Sequence, residues 1–184
     1  MTLYIKDSIV ALATPRGVGA LSVVRVSGSS LKKLFLKLTK IKRPKYRYAY
    51  YSKILSENNT LIDRVIVVFF NAPRSYTGED VLEISCHGGG LVSNKIINTL
   101  ILYGCRYAER GEFSRRAFLN GKIDLIEAES INSIVSSKSS LGLKNGLMAL
   151  DGKIKNSLTK IKNNLLNILT IVEYELDFSE EEIT

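Results

Sequence analysis

A chain of 184 residues with 45% hydrophobic content has room for one ordinary domain and something more, with apolar residues enough for a core. Its 26 Lys and Arg against 18 Asp and Glu leave a net charge of +8, which admits nucleic-acid contact without establishing it, since scattered lysines are ordinarily a solvated surface. Two cysteines without a CxxC spacing and a single histidine argue against a structural zinc site; the run VIVVFF is strand-sized, not membrane-sized; and MTLYIKDS lacks the pattern of a signal peptide, so a soluble cytoplasmic protein with no membrane partner is expected.

In chain order, SIVALA (8–13) and LSVVRVS (21–27) are β-rich runs separated by TPRGVG, whose proline and glycines mark a loop. Ser29 or Ser30 can cap the helix LKKLFLKLTK, with Leu31, Leu34, Phe35 and Leu38 on one face. The tyrosine-rich YRYAYYSKI predicts a strand that turns at ENN into a second, DRVIVVFF (63–70). After NAPRSYTGE come a strand DVLEISC (80–86), a helix from about Leu91 to Tyr103 and a short strand CRYAE. Two strand–helix–strand units with a hairpin between them predict an α+β domain with a mixed β-sheet and packed helices, over residues 1–120.

Residues 121–184 are expected to be all-α, with the pattern turning purely helical from Asp124. Leu147, Leu150, Ile154, Leu158, Ile161, Leu165, Leu169, Val172 and Leu176 recur at three- and four-residue steps, a long one-sided stripe that no other helix of the chain is long enough to cover. Such a stripe implies oligomerisation or a longer protein. The latter is favoured, because the sequence stops inside an acidic, helix-like run.

The stretch ISCHGGG sets Cys86 beside His87. Adjacent strand residues point to opposite faces, so a nucleophile–base dyad is not expected, and an oxyanion loop would need a GxSxG elbow that the chain lacks. The glycines then serve to turn the backbone into the next helix. The same alternation groups Leu82, Ile84 and Cys86 on one face and leaves Glu83 as a mid-strand carboxylate on the other, with Arg25 its counterpart between Val24 and Val26. Two readings stand: a structural Arg–Glu pair, or a polar pocket in which the carboxylate accepts N–H groups of a heterocycle and the guanidinium holds an anion or carbonyl. No GxxxxGK[ST] occurs, so the chain has no P-loop; GEFSRRAFLNGK reads as a capped surface helix with Glu112 at its start, Arg115 and Arg116 within it and Lys122 at a solvated end.

DSIVALATP (7–15), VVRVSG (23–28), SYTGEDVLEISCHGG (75–89), GEFSRRAFLNGKIDL (111–125) and ELDFSEEEI (175–183) closely resemble, in order, the tRNA-modification GTPase family MnmE, also called TrmE. The resemblance implies an N-terminal α+β domain similar to the folate-binding fold of the glycine-cleavage aminomethyltransferase, then the first part of a helical domain that a G domain interrupts. It implies a homodimer that works with an FAD-dependent partner, MnmG (GidA), on the wobble uridine of tRNA, giving a 5-carboxymethylaminomethyl type of modification. It further implies 5-formyltetrahydrofolate or a related tetrahydrofolate at Arg25, Glu83 and Lys122, and GTP, Mg2+ and K+ only in the G domain. No catalytic residue and no metal ligand is expected here, so this chain alone should neither hydrolyse GTP nor modify tRNA. One departure is Arg110, where the family commonly has proline before GEF. The competing expectations are a tRNA-docking module without a folate site, and a self-contained aminomethyl or formyl transferase, disfavoured for want of an acid–base pair or nucleophile.

Overall fold

The computed structural model describes residues 7–29 and 31–181, with side chains through Leu176, so the alternative cap at Ser30 and the end of the last motif lie outside the described residues. The chain divides into two compact units, Met1–Ile123 and Asp124–Thr184.

Among the described residues the first unit is built on six strands, β1 (Ser8–Leu12), β2 (Leu21–Gly28), β3 (Ala49–Leu55), β4 (Leu61–Phe70), β5 (Asp80–His87) and β6 (Cys105–Tyr107). Its helices are α1 (Leu31–Thr39), α2 (Gly90–Leu102) and α3 (Glu112–Leu119). The strands lie in the order β3-β4-β5-β2-β1-β6, antiparallel throughout except for the β1–β6 edge pair. This is the mixed sheet of the α+β expectation. The tyrosine-rich strand is shorter than YRYAYYSKI suggested and begins at Ala49, because Arg47 sits in the left-handed region (φ 58) and breaks the extended run.

Alternation sorts each strand into a wet and a dry face. On the dry face Val24 and Val26 of β2, Leu82, Ile84 and Cys86 of β5 and Val67 and Phe69 of β4 are all essentially inaccessible. They meet Leu34 and Phe35 of α1 and Ile96 and Leu100 of α2 in one core cluster. Each such side chain contributes roughly 1.5–3 kcal/mol by leaving water. Arg25 and Glu83 occupy the other face, as their odd positions between these residues require.

The second unit comprises α4 (Leu125–Ser136), α5 (Ser140–Leu150) and α6 (Lys153–Glu181). Asp124 and Glu127 form a capping box that starts α4, and Ser139 caps α5 by accepting from the Gly142 N–H. α4 and α5 approach so closely that a Cβ at Gly146 would fall 2.7 Å from Ile134 Cγ1. The apolar stripe is not continuous, as the spacing alone suggested. Asp151 and the left-handed Gly152 end α5, so Leu147 and Leu150 belong to a different helix from Ile154 onward. Leu158, Ile161, Leu165, Leu169, Val172 and Leu176 of α6 are all exposed. Among the described residues no helix is long and apolar enough to cross a membrane.

Candidate functional site

Strands β2 and β5 pair in a register that puts Arg25 directly opposite Glu83. Arg25 Nε donates to Glu83 Oε1 at 2.9 Å and its Nη2 lies 2.7 Å from the same oxygen. Both side chains are 30% exposed, so the pair sits on an open face of the sheet instead of in the core. One carboxylate oxygen takes both contacts, so among the described residues Glu83 Oε2 and Arg25 Nη1 retain hydrogen-bonding capacity. Two aromatic rings flank the guanidinium: its carbon is 5.5 Å from the centroid of Tyr76 and 5.9 Å from that of Phe113, within cation–π reach. The Tyr76 hydroxyl is in turn 3.0 Å from Ser114 Oγ, tying the β4–β5 loop to α3 beside the pair. The sequence alone gives neither ring a role beyond its position inside the motifs SYTGED and GEF.

Lys122 is exposed, and no ion pair engages it among the described residues. Its stem runs along the backbone of Gly78: a Cβ there would meet Lys122 Cγ at 3.1 Å and Cδ at 3.3 Å, and Gly78 itself is left-handed (φ 78). The backbone N–H of Lys122 donates to the Ala117 carbonyl at 2.8 Å, closing the turn after α3. The fold therefore joins Arg25 to Glu83 directly and holds Lys122 against the loop that carries Tyr76, with no hydrogen bond or ion pair between Lys122 and the pair among the described residues. Cavities of about 470, 210, 150 and 610 Å3 open elsewhere on the two units, and none of these four is lined by Arg25, Glu83 or Lys122.

Cys86 and His87 diverge as the alternation requires. The Cys86 thiol is buried and donates to the Ser22 carbonyl at 3.4 Å. Burial, and then the nearby charge of Asp63, push its pKa up, which makes a thiolate less accessible. His87 is exposed and turns to Asp63, with Nδ1 2.7 Å from Oδ1 and its backbone N–H donating to Oδ2 at 2.8 Å. Burial works to raise the Asp63 pKa, but the His87 contacts together with the hydrogen bond from the Arg64 N–H outweigh it and the carboxyl is held low. Beyond His87 the backbone doubles back: a Cβ on Gly88 would lie 1.8 Å from the Gly19 carbonyl oxygen, a space open only to glycine.

The helix read as a surface element carries a buried ionic cluster, and in that respect the sequence reading is corrected. Arg115 is 56% exposed, but Arg116 is 3% exposed. Arg116 reaches Asp7 Oδ1 at 2.6 Å, Glu112 Oε1 at 3.0 Å and Glu79 Oε2 at 3.1 Å. Burial opposes its charge, yet the three carboxylates more than offset that and raise its pKa. Arg106 forks onto both oxygens of Glu112 and also pairs with Asp7. Pattern alone could not separate Arg115 from Arg116. What selects Arg116 is the parallel β1–β6 edge, which brings Asp7 and Arg106 side by side next to it.

With this geometry in hand, the likeness to known proteins has a structural setting. Residues 8–122 match the family described as GTP-binding protein TrmE N-terminus, and residues 125–184 match the MnmE helical domain. The chain is 47% identical over 181 residues to a tRNA modification GTPase MnmE of Fervidobacterium nodosum, covering 96% of this chain and 39% of that protein. It is 45% identical to the MnmE of Francisella philomiragia over 98% of this chain and 40% of the relative, and 40% identical to that of Petrotoga mobilis over 96% and 39%. The chain thus spans about two-fifths of the length of the curated relatives it matches.

Proposed function

The chain belongs to the MnmE (TrmE) family as its N-terminal portion, and on that premise we propose that it serves a tRNA modification GTPase by binding a tetrahydrofolate one-carbon donor and by pairing with a second copy of itself. In this reading the whole protein works in the cytoplasm with the FAD-dependent MnmG on the wobble uridine of tRNA. GTP, Mg2+ and K+ belong to a G domain outside these residues.

The observation that carries the folate reading is the half-exposed Arg25–Glu83 pair with hydrogen-bonding capacity left on both partners and aromatic rings at its side. The donor set fits a reduced pterin. A carboxylate such as Glu83 accepts from the N–H groups of an aminopyrimidine edge, a guanidinium donates to a carbonyl or carboxylate, and Tyr76 and Phe113 offer apolar walls. Lys122, whose ammonium has no ion-pair partner among the described residues, suits the anionic glutamate tail. The folate supplies the one-carbon unit; the residues here bind and orient it.

Calorimetric titration of 5-formyltetrahydrofolate is expected to show saturable binding by the chain, weakened at least tenfold by Glu83→Ala and by Arg25→Ala, as loss of charged hydrogen bonds worth about 1.5–3 kcal/mol requires. Equal binding by folded variants would return Arg25 and Glu83 to a purely structural pair. The chain alone is expected to show no GTP turnover, since it carries no P-loop sequence; specific hydrolysis by the purified chain would contradict the division of labour proposed. A second reading, docking of tRNA, is favoured by one feature: Lys160 and Lys162 are exposed on α6 without ion-pair partners among the described residues. Its mark would be tRNA binding that falls steeply with salt and weakens about evenly with each Lys→Ala change.

A further inference from the structure

We propose that the first unit carries a docking groove for single-stranded RNA along α1, apart from the folate site. Two cavities, of about 470 and 210 Å3, adjoin there and share Lys37 and Tyr103 in their walls. Lys40, Tyr51 and Lys53 also line the larger, and Lys33 the smaller. Glu57 is the one acidic residue in either lining. The sequence around the groove is equally one-sided: every charged side chain from Leu31 to Ser56 is a lysine or an arginine.

Scattered lysines are ordinarily a solvated surface, and three observations set these apart. Lys33, Lys37, Lys40 and Lys53 are exposed, and none of them forms an ion pair among the described residues. Lys33 and Lys37 stand one turn apart on α1, where like charges repel, and α1 has no acidic residue to relieve them. A polyanion in the groove relieves that repulsion. Lastly, aromatic rings sit among the cations. Lys37 Nζ lies 3.6 Å from the centroid of Tyr103, which holds the ammonium where the two cavities join. Tyr51, on the edge strand β3, is 69% exposed.

Cations and rings lining one groove suit a nucleic-acid strand, whose phosphates meet the lysines while its bases stack on the tyrosines. An acidic peptide would use the lysines and leave the rings idle. A duplex would hide the base faces, so the strand is unpaired. That it is RNA rests on the tRNA-modification reading above. The folate site is elsewhere, since neither Arg25, Glu83 nor Lys122 lines either cavity.

The test is fluorescence anisotropy of a labelled decauridylate titrated with the 184-residue chain at several salt concentrations. Saturable, salt-sensitive binding is expected. Tyr51→Ala should lower the affinity about tenfold, as loss of one stacked base predicts. Lys37→Ala and Lys53→Ala should each lower it severalfold and reduce the salt slope by about 1. The double variant Lys160→Ala with Lys162→Ala should bind as wild type does. No saturable binding, or binding that the three groove variants leave unchanged, would overturn the groove; loss of binding in the α6 double variant would move the RNA to that helix. Decaglutamate bound as tightly as decauridylate, with Tyr51→Ala silent, would assign an acidic peptide and overturn the RNA. Titration of 5-formyltetrahydrofolate should be unaffected by Tyr51→Ala and Lys37→Ala, so the groove and the folate site stand or fall separately.

Discussion

Glu112 is 2% exposed and keeps its carboxyl ionised because Arg106 donates to both oxygens, at 2.7 and 2.9 Å, with Arg116 and the Glu109 N–H adding further hydrogen bonds. The fork from Arg106 leads; burial opposes it, and the pKa falls from 4.5 to about 2. Since the folded value is depressed, this contribution is fully present above pH 4.5, the unfolded value, and is lost as pH falls through about 2. Its size is on the order of 3 kcal/mol. Glu112→Gln is therefore expected to cost about 3 kcal/mol at pH 7 by leaving two guanidinium groups short of a carboxylate. Urea midpoints of wild type and variant should converge between pH 5 and pH 2, because only the wild type loses the interaction on acidification. Parallel midpoints across that range would show that Glu112 is not the partner the fork implies. At this scale legibility was uneven. Arg25 and Glu83 stood out because charge in the middle of an alternating strand is uncommon, whereas Glu112 and Arg116 lie in a polar helix whose charges look solvated until strand register supplies Asp7 and Arg106.

At the scale of elements, the three consecutive glycines after His87 show how one composition hides different constraints. Gly88 donates its N–H to the Ala20 carbonyl at 2.9 Å and passes so near Gly19 that no Cβ fits. Gly89 has open space around it but a φ of 107. Gly90 has neither restraint; its nearest neighbour to a Cβ is Asn94 Nδ2 at 4.0 Å, and it is the first residue of α2. Gly88→Ala should cost more than about 2 kcal/mol, since backbone must move to make room. Gly89→Ala should cost roughly 1–3 kcal/mol of conformational strain. Gly90→Ala should be neutral or stabilising by up to about 1 kcal/mol, because it removes freedom from the unfolded chain without a clash. Thermal or urea unfolding of the three single variants gives this ranking directly, and an equal loss at all three positions would refute the close approach at Gly19. That the glycines turn the strand into a helix was readable from sequence. Which of them is indispensable was not, because the carbonyl that forbids a side chain belongs to the loop after β1.

For the whole molecule, the two units differ in how much apolar surface they hide. The first surrounds its sheet with buried aliphatic and aromatic side chains, while the buried residues of the second are Ser130, Gly146 and Ala149 among those described. α6 instead displays Leu158 at 52%, Ile161 at 55%, Leu165 at 61%, Leu169 at 51% and Leu176 at 62% exposure, repeating along one side of the helix. The sequence announced that stripe through its spacing, though it hid the break at Gly152, since Leu150 and Ile154 keep the four-residue step across it. An exposed row of this length is costly in water, at about 25 cal/mol per Å2, and drives burial against another apolar surface. The chain is accordingly expected to associate with itself as concentration rises, gaining helical signal as it does so. Leu165→Lys with Leu169→Lys should lower the sedimentation-equilibrium mass toward that of one chain, 20.5 kDa. The double variant should leave the unfolding transition of the first unit in place, because neither residue contributes to that core. If the mass were unchanged by the double substitution, the association would have to run through the first unit, where pairing of the α+β domains is the expectation the family resemblance supplies.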